Sequence, residues 1–173
     1  DCAGATMYVT LEPCCHQGNQ PPCTEAVIEH KIARVVVGLT DPNPLVAGKG
    51  IAQLREAGIE VDTLESEPKA AQMVEQLKIQ NRVFLKYITT GMPWVTLKWA
   101  MTLDGKIASH TGDSKWVTGE KARERVHQVR HNNMAIMTGI GTVLADDPML
   151  NVRLDDAWRQ PVRIILDRRA RIP

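Results

Sequence analysis

Short apolar runs alternate with segments of helical periodicity along the first half of the chain. Apolar, partly β-branched runs at residues 6–11, 33–38 and 59–64 predict strands, and the second is apolar enough to be buried on both faces. Helices are expected at residues 22–30, at 50–57 with Gly58 as the C-terminal stop, and at 68–87. This alternation of strand and helix predicts an α/β layer with mostly parallel strands.

A second series of elements begins after the Gly91-Met92-Pro93 sequence. The pattern predicts a helix at residues 119–130 and strands at residues 94–99, 106–109, 134–138 and 162–166. We therefore predict two domains, residues 1–90 and 91–173. Because the chain lacks an initiator Met and stops soon after the last strand, we also expect further sequence at both ends.

The net charge and the apolar runs of the sequence argue against nucleic acid and membranes as partners. Lys and Arg number 21 against 20 Asp and Glu, which leaves a net charge of +1 and none of the basic surplus typical of nucleic-acid binders. No apolar run approaches the roughly 18 residues that a membrane span needs. We expect a cytoplasmic protein that binds neither nucleic acid nor a membrane, and whose state as a homo-oligomer is left open.

Two cysteines stand where a strand ends and a helix begins. Cys14 follows the first predicted strand, and Cys23 lies in the first turn of the next helix, whose partial positive charge favours a thiolate. Two such thiolates form half of a tetrahedral zinc site. Zinc deaminases pair a Pro-Cys-x-x-Cys turn with a His-x-Glu helix, whereas here eight residues separate the cysteines and no His-x-Glu occurs.

Other interpretations of the cysteine segment remain open. One alternative is that Cys14 and Cys23 are ordinary buried thiols without metal. Cys2 is expected to be a core or surface thiol, and the Cys15 side chain is expected to point away from the metal. A tRNA or base-editing deaminase would need a basic groove and the short cysteine spacing. A structural zinc module would need four protein ligands, and only the two cysteines and His16 are candidates.

The second half of the chain carries candidates for phosphate binding. Gly139-Ile-Gly-Thr142 follows an apolar strand and opens a short helix, a layout that offers free backbone N–H groups to phosphate, although it lacks the third glycine of the dinucleotide fingerprint. Arg130 ends a helix beside a His-rich stretch, and arginine is the natural bidentate partner of phosphate. Arg130 alternatively neutralises the negative end of its helix. Trp116 and Leu150, taken singly, are typical of core residues.

The motifs together resemble one family. Thr10-Leu-Glu-Pro-Cys14, Pro21-Pro-Cys23, Asp41-Pro-Asn-Pro44 and Gly48-Lys-Gly50 are similar to the bifunctional riboflavin-biosynthesis deaminase/reductase, and residues 98–153 resemble its reductase half. The resemblance implies a cytidine-deaminase-like three-layer domain (C-terminal part) followed by a dihydrofolate-reductase-like α/β domain (N-terminal part). The implied partner is a small phosphorylated pyrimidine substrate. The resemblance implies that Zn²⁺ supports its deamination and that NADPH then reduces its ribosyl group to ribityl.

The same resemblance implies roles for individual residues. The implied zinc ligands are Cys14 and Cys23, while the family's third ligand, a His, and its catalytic Glu have no counterpart and are expected upstream of Asp1, so that the chain alone should not deaminate. The implied NADPH contacts are Ala100, Trp116, Thr142 and Asp146, and the implied substrate contacts are Ser114, Arg130, Leu150 and Arg153. His16 is either a substrate-side or a solvated loop residue, Lys98 is a candidate for orienting the sugar, and Asn19 replaces a usually basic residue.

Overall fold

The computed structural model describes residues 2–172 of the chain. The chain divides into two compact units, Asp1–Thr96 and Leu97–Pro173. The domain limits of 1–90 and 91–173 stay a prediction. No helix within residues 2–172 has both the length and the apolar character that crossing a membrane requires.

A three-stranded parallel sheet forms the centre of the first unit. Its strands, in the order in which they pair, are β1 (Thr6–Val9), β2 (Arg34–Val37) and β3 (Glu60–Thr63). Parallel neighbours need crossover connections, and helices supply them. These helices are α1 (Cys23–Glu29) and α2 (Lys49–Glu56); after two short 3₁₀ turns the long helix α3 (Ala71–Thr90) follows β3.

The core of the first unit lies between the sheet and the first two helices. Val35 and Val37 of the central strand are fully buried and pack with Val27 of α1 and Leu54 of α2, which is also fully buried. Because β1 and β2 are parallel, the segments that follow them leave the same edge of the sheet. The backbone N–H of Glu12 accordingly donates to the carbonyl of Leu39 at 2.9 Å, so the Cys14 segment and the segment after β2 start side by side.

Helix α3 approaches the sheet at Gly38, directly after β2. A Cβ atom at this position would overlap the Leu77 side chain and lie 2.8 Å from the carbonyl oxygen of Thr10. Only glycine leaves room for both neighbours, and this close approach places α3 beside the end of the sheet.

The second unit contains a two-stranded parallel sheet. Strands β4 (Ala135–Gly139) and β5 (Val162–Leu166) pair in register from Ala135 with Val162 to Gly139 with Leu166. Helix α4 (Glu120–His131) leads into β4, and the seven-residue helix α5 (Ile140–Asp146) follows it immediately.

The predicted strands at residues 94–99 and 106–109 are wrong. Neither segment has regular secondary structure, since within residues 2–172 neither finds a strand to pair with. Trp94 instead lies 5.4 Å from the guanidinium of Arg82 on α3. Residues 102–106 close a turn in which the N–H of Thr102 donates to the carbonyl of Lys106 at 2.8 Å. An apolar run becomes a strand only where a partner edge is available.

Candidate metal centre and anion-binding cluster

The structure brings the two predicted zinc ligands together. The backbone N–H of Cys23 donates to Cys14 Sγ at 3.3 Å, and the N–H of Thr24 donates to the carbonyl oxygen of Cys14 at 3.2 Å. Helix α1 begins with N–H groups that need acceptors, and Pro22 at its N-cap offers no side chain for this purpose. The Cys14 segment supplies those acceptors, which folds it back over the helix N-terminus and sets Cys14 beside Cys23.

The electrostatics of this pair differ from the sequence-based expectation. The hydrogen bond with the Cys14 side chain, then burial, then repulsion from Cys14 raise the pKa of the Cys23 thiol. The helix N-terminus was expected to favour the thiolate, but the second thiol outweighs it. A divalent cation between the two sulfurs would reverse this balance, because thiols that coordinate a metal lose their protons outright.

The donor set therefore fits two of the three protein ligands of a catalytic zinc site. Within residues 2–172 no group of three or more His, Cys, Asp or Glu side chains is arranged to hold a metal. Cys15 Sγ lies 3.9 Å from the carbonyl oxygen of Leu45, and Cys2 is an exposed free thiol. Nδ1 of His16 is buried without a hydrogen-bond partner, so it is available to a molecule bound at this loop.

Sequence reasoning missed the role of Glu12 in this region. Its side chain is only 4% exposed, and its carboxylate accepts backbone N–H groups from Asp41 at 3.1 Å, Gly48 at 2.9 Å and Ile51 at 3.1 Å. In the sequence, Glu12 stands out only as part of the Thr10-Leu-Glu-Pro-Cys14 motif. The available signal was an acidic residue placed between an apolar strand and a cysteine predicted to bind metal.

A cluster of basic side chains in the second unit joins two of the predicted substrate residues. Nη1 of Arg130 donates to the backbone oxygen of Asn151 at 3.0 Å, and Nη1 of Arg153 donates to the Asn151 side-chain oxygen at 3.0 Å. The backbone N–H of Arg153 also donates to Nδ1 of His127 at 3.2 Å. The end of α4 and the chain after α5 are thereby held together, with two guanidinium groups on one residue.

The cluster carries positive charge that no carboxylate neutralises within residues 2–172. None of the salt bridges found there involves Arg130 or Arg153, and Nε of Arg130 is buried without a partner. Burial, and secondarily the charge of Arg153, lower the pKa of Arg130. Burial, then the charges of Arg153 and Arg130, lower the pKa of His127.

This arrangement suits an anion. Orphaned guanidinium N–H groups beside an unneutralised positive charge are the donors that phosphate oxygens accept. Nδ1 of His127 accepts the backbone N–H of Arg153, which holds the ring beside the two arginines. Neither His127 nor Asn151 was singled out from the sequence, although the helical spacing of His127 and Arg130 places both on one face of α4.

The other predicted substrate residues lie apart from these contacts. Leu150 directly precedes Asn151; its side chain is 7% exposed and its φ is 51°, a strained conformation for leucine. Ser114 is half-buried in the irregular segment before α4, and no hydrogen bond links it to the arginines in the described part of the chain.

The predicted NADPH residues are brought together only in part. Thr142 and Asp146 are exposed, and their spacing of four residues places them on one face of α5. Trp116 is 72% exposed beneath the guanidinium of Arg123, which lies 4.2 Å from its ring centre. Ala100 is half-buried, and among residues 2–172 no hydrogen bond or ring contact joins the four positions to one another.

Family models match both parts of the chain. The model of the cytidine and deoxycytidylate deaminase zinc-binding region matches residues 1–39, and the model of the RibD C-terminal domain matches residues 93–173. The chain is 53% identical to the riboflavin biosynthesis protein RibD of Actinobacillus pleuropneumoniae over 100% of the chain and 44% of that protein. The corresponding protein of Escherichia coli K12 is 45% identical over 98% of the chain and 47% of its own length.

Solved structures agree with these matches. The diaminohydroxyphosphoribosylaminopyrimidine deaminase/5-amino-6-(5-phosphoribosylamino)uracil reductase of Thermotoga maritima superimposes with a TM-score of 0.85 at 48% identity, covering 96% of this chain and 45% of that one. Acinetobacter baumannii RibD, form 1, gives a TM-score of 0.87 at 48% identity over 99% of this chain and 48% of that one. The chain spans less than half the length of the relatives it matches.

These matches correct the predicted fold class. A deaminase-like C-terminal part followed by a reductase-like N-terminal part is wrong: the chain starts with the deaminase zinc-binding region at residues 1–39 and ends with the RibD C-terminal domain at residues 93–173. Local motifs locate a zinc loop and an arginine cluster, but they carry no information about which part of a domain surrounds them.

Proposed function

Because the chain belongs to the RibD family, we propose that it carries a zinc-dependent deaminase region and an NADPH-dependent reductase region of riboflavin biosynthesis. The first activity is hydrolytic deamination of a diaminopyrimidinone ribosylamino phosphate. The second is reduction of the product's ribosyl group to ribityl. The proposed division is residues 1–90 for the deaminase and residues 91–173 for the reductase.

The observation that carries the deaminase assignment is the meeting of Cys14 and Cys23 at the N-terminus of α1. The two thiolates would hold zinc, which when bound supplies the Lewis acidity that hydrolytic deamination requires. The N–H groups of Cys23 and Thr24 keep the Cys14 segment in place, and the free Nδ1 of His16 is available to the substrate.

The reductase assignment rests on the arginine cluster. Arg130 and Arg153 bind the substrate phosphate, Asn151 fixes their relative position, and His127 holds the backbone of Arg153. Leu150 and Ser114 complete the proposed substrate set. NADPH, the source of the hydride, is assigned to Thr142 and Asp146 on one face of α5 together with Ala100 and Trp116.

Two assays test the pair of activities. The complete natural protein that contains this chain should release ammonia from the diaminopyrimidinone phosphate and then oxidise an equivalent amount of NADPH. The 173-residue chain alone should release no ammonia, because residues 2–172 place only two thiols at the metal site and the sequence has no His-x-Glu.

Colorimetric ammonia measurement and NADPH absorbance follow the two steps separately. A complete protein that releases no ammonia would contradict the deaminase proposal. Ammonia release by the 173-residue chain would show that the catalytic centre lies elsewhere.

A further inference from the structure

Glu12 is a buried carboxylate that connects two segments of the first unit. Oε2 accepts the N–H groups of Asp41 and Gly48, and Oε1 accepts that of Ile51. A charged group with 4% exposure is costly unless several donors satisfy it, and here the donors are backbone groups on both sides of one loop. Glu12 thus holds both ends of residues 41–48, here called the bridged loop.

The bridged loop is an ordered structure between those two ends. The N–H of Asn43 donates to the Asp41 carboxylate at 2.8 Å, and the N–H of Leu45 donates to the Asn43 side-chain oxygen at 3.1 Å. Val46 is fully buried, whereas the Leu45 side chain is 61% exposed. The loop is therefore held by the buried side chain of Val46 and exposes the apolar side chain of Leu45.

The bridged loop lies against the metal-binding segment. A Cβ atom on Gly50, two residues after the loop, would overlap the carbonyl oxygen of Pro13. The carbonyl oxygen of Leu45 lies 3.9 Å from Sγ of Cys15. The residues on either side of Cys14, Pro13 and Cys15, are therefore in contact with this loop or with the residues just after it.

Cys14 itself has different hydrogen-bond partners. Its thiol and its carbonyl are held by the N–H groups of Cys23 and Thr24 at the start of α1. The hydrogen bonds of Glu12 therefore hold the bridged loop, and those of Cys14 hold the predicted zinc ligand.

We propose that Glu12 is a positioning residue of the deaminase site, which holds the bridged loop as the wall that the pyrimidine substrate contacts. The proposal rests on the deaminase function proposed above. It assigns Glu12 a role in substrate binding that is distinct from zinc binding.

The test is Glu12→Gln in the complete natural protein. Glutamine has the same size, but one of its terminal atoms is an NH₂ group, which cannot accept from the backbone donors. The KM for the pyrimidine in ammonia release should rise about tenfold or more, as expected for the loss of a charge-assisted hydrogen bond. Zinc content by elemental analysis should stay at the wild-type level, and the amides of Gly48 and Ile51 should exchange hydrogen faster.

A second variant and a matched control accompany this measurement. Gly50→Ala places a Cβ atom against the carbonyl oxygen of Pro13 and 3.2 Å from Oε1 of Glu12, so it disturbs the same contacts and should raise KM in the same way. Glu75→Gln removes an exposed carboxylate of α3 that pairs with Lys78 at 2.7 Å, away from the bridged loop, and it should leave KM unchanged. NADPH oxidation by the same variants, measured with the deaminated intermediate supplied as substrate, reports whether the rest of the protein is folded.

Three results would overturn the proposal. An unchanged KM in Glu12→Gln would show that the bridged loop does not need its anchor. Loss of zinc in step with activity would assign Glu12 to the metal rather than to the substrate. A wild-type protein without ammonia release overturns both this proposal and the proposed function, whereas an active wild type with an unchanged variant overturns only the role of Glu12.

Discussion

Replacing Cys14 or Cys23 by serine is expected to remove zinc from the complete natural protein and to abolish deamination. A catalytic zinc has only three protein ligands, and the structure sets these two thiols side by side at the start of α1. Replacing a residue that hydrogen-bonds to a metal ligand typically costs about 10- to 100-fold in metal affinity. Loss of a ligand itself should therefore cost more. Elemental analysis of zinc per chain and ammonia release measure the two effects.

Cys2→Ser is the matched control for these variants, because Cys2 is an exposed free thiol in the same unit. It should keep both the metal and the activity. With the deaminated intermediate supplied as substrate, NADPH oxidation should persist in all three variants, since the arginine cluster lies in the other unit. Full zinc occupancy in both Cys14→Ser and Cys23→Ser would refute the ligand assignment.

Replacing Arg130 or Arg153 by alanine is expected to weaken binding of the reductase substrate and to leave NADPH binding nearly intact. Each arginine donates to Asn151, and no carboxylate in the described part of the chain neutralises either of them. Loss of one charge-assisted contact to phosphate typically costs about 1.5–3 kcal/mol, or roughly 10- to 150-fold in affinity. Substrate KM and the titration of NADPH fluorescence separate the two binding events.

Two further variants make this measurement specific. Arg125→Ala removes an exposed arginine of the same helix whose guanidinium bonds to Gln128, and it should leave substrate KM unchanged. Asp146→Ala should weaken NADPH binding or turnover and spare the phosphate. Wild-type KM in both arginine variants would place the substrate pocket elsewhere, and loss of NADPH affinity instead would mean that the two halves of the site are exchanged.

Several features followed from local sequence because local physics determines them. The strand β2 and the helix α2 each lie within one residue of the segments predicted from apolar periodicity at 33–38 and 50–57. Cys14 and Cys23 flank a strand end and a helix start, and the unsatisfied N–H groups of that helix bring them together. Arginine beside histidine near the end of α4 likewise predicts an anion site, and the structure sets Arg130 and Arg153 on Asn151.

Other features depended on neighbours that are distant in sequence. Apolar residues 94–99 read as a strand, but strand formation needs a partner edge, and none is present for them in residues 2–172. The helix N-terminus suggested a lowered thiol pKa for Cys23, yet the nearby Cys14 side chain raises it. The assignment of domain parts was wrong for a related reason, because a motif does not specify how much of its domain surrounds it.

The sequence by itself determined the order of strands and helices in the first unit and the residue types at the metal loop, because periodicity and helix-end chemistry act over a few positions. Only the tertiary structure decided that Glu12 is buried under three backbone donors from residues 41–51, and that Asn151 joins Arg130 to Arg153. Burial and hydrogen-bond partners are properties of the packed chain, since they arise from segments that meet only after folding.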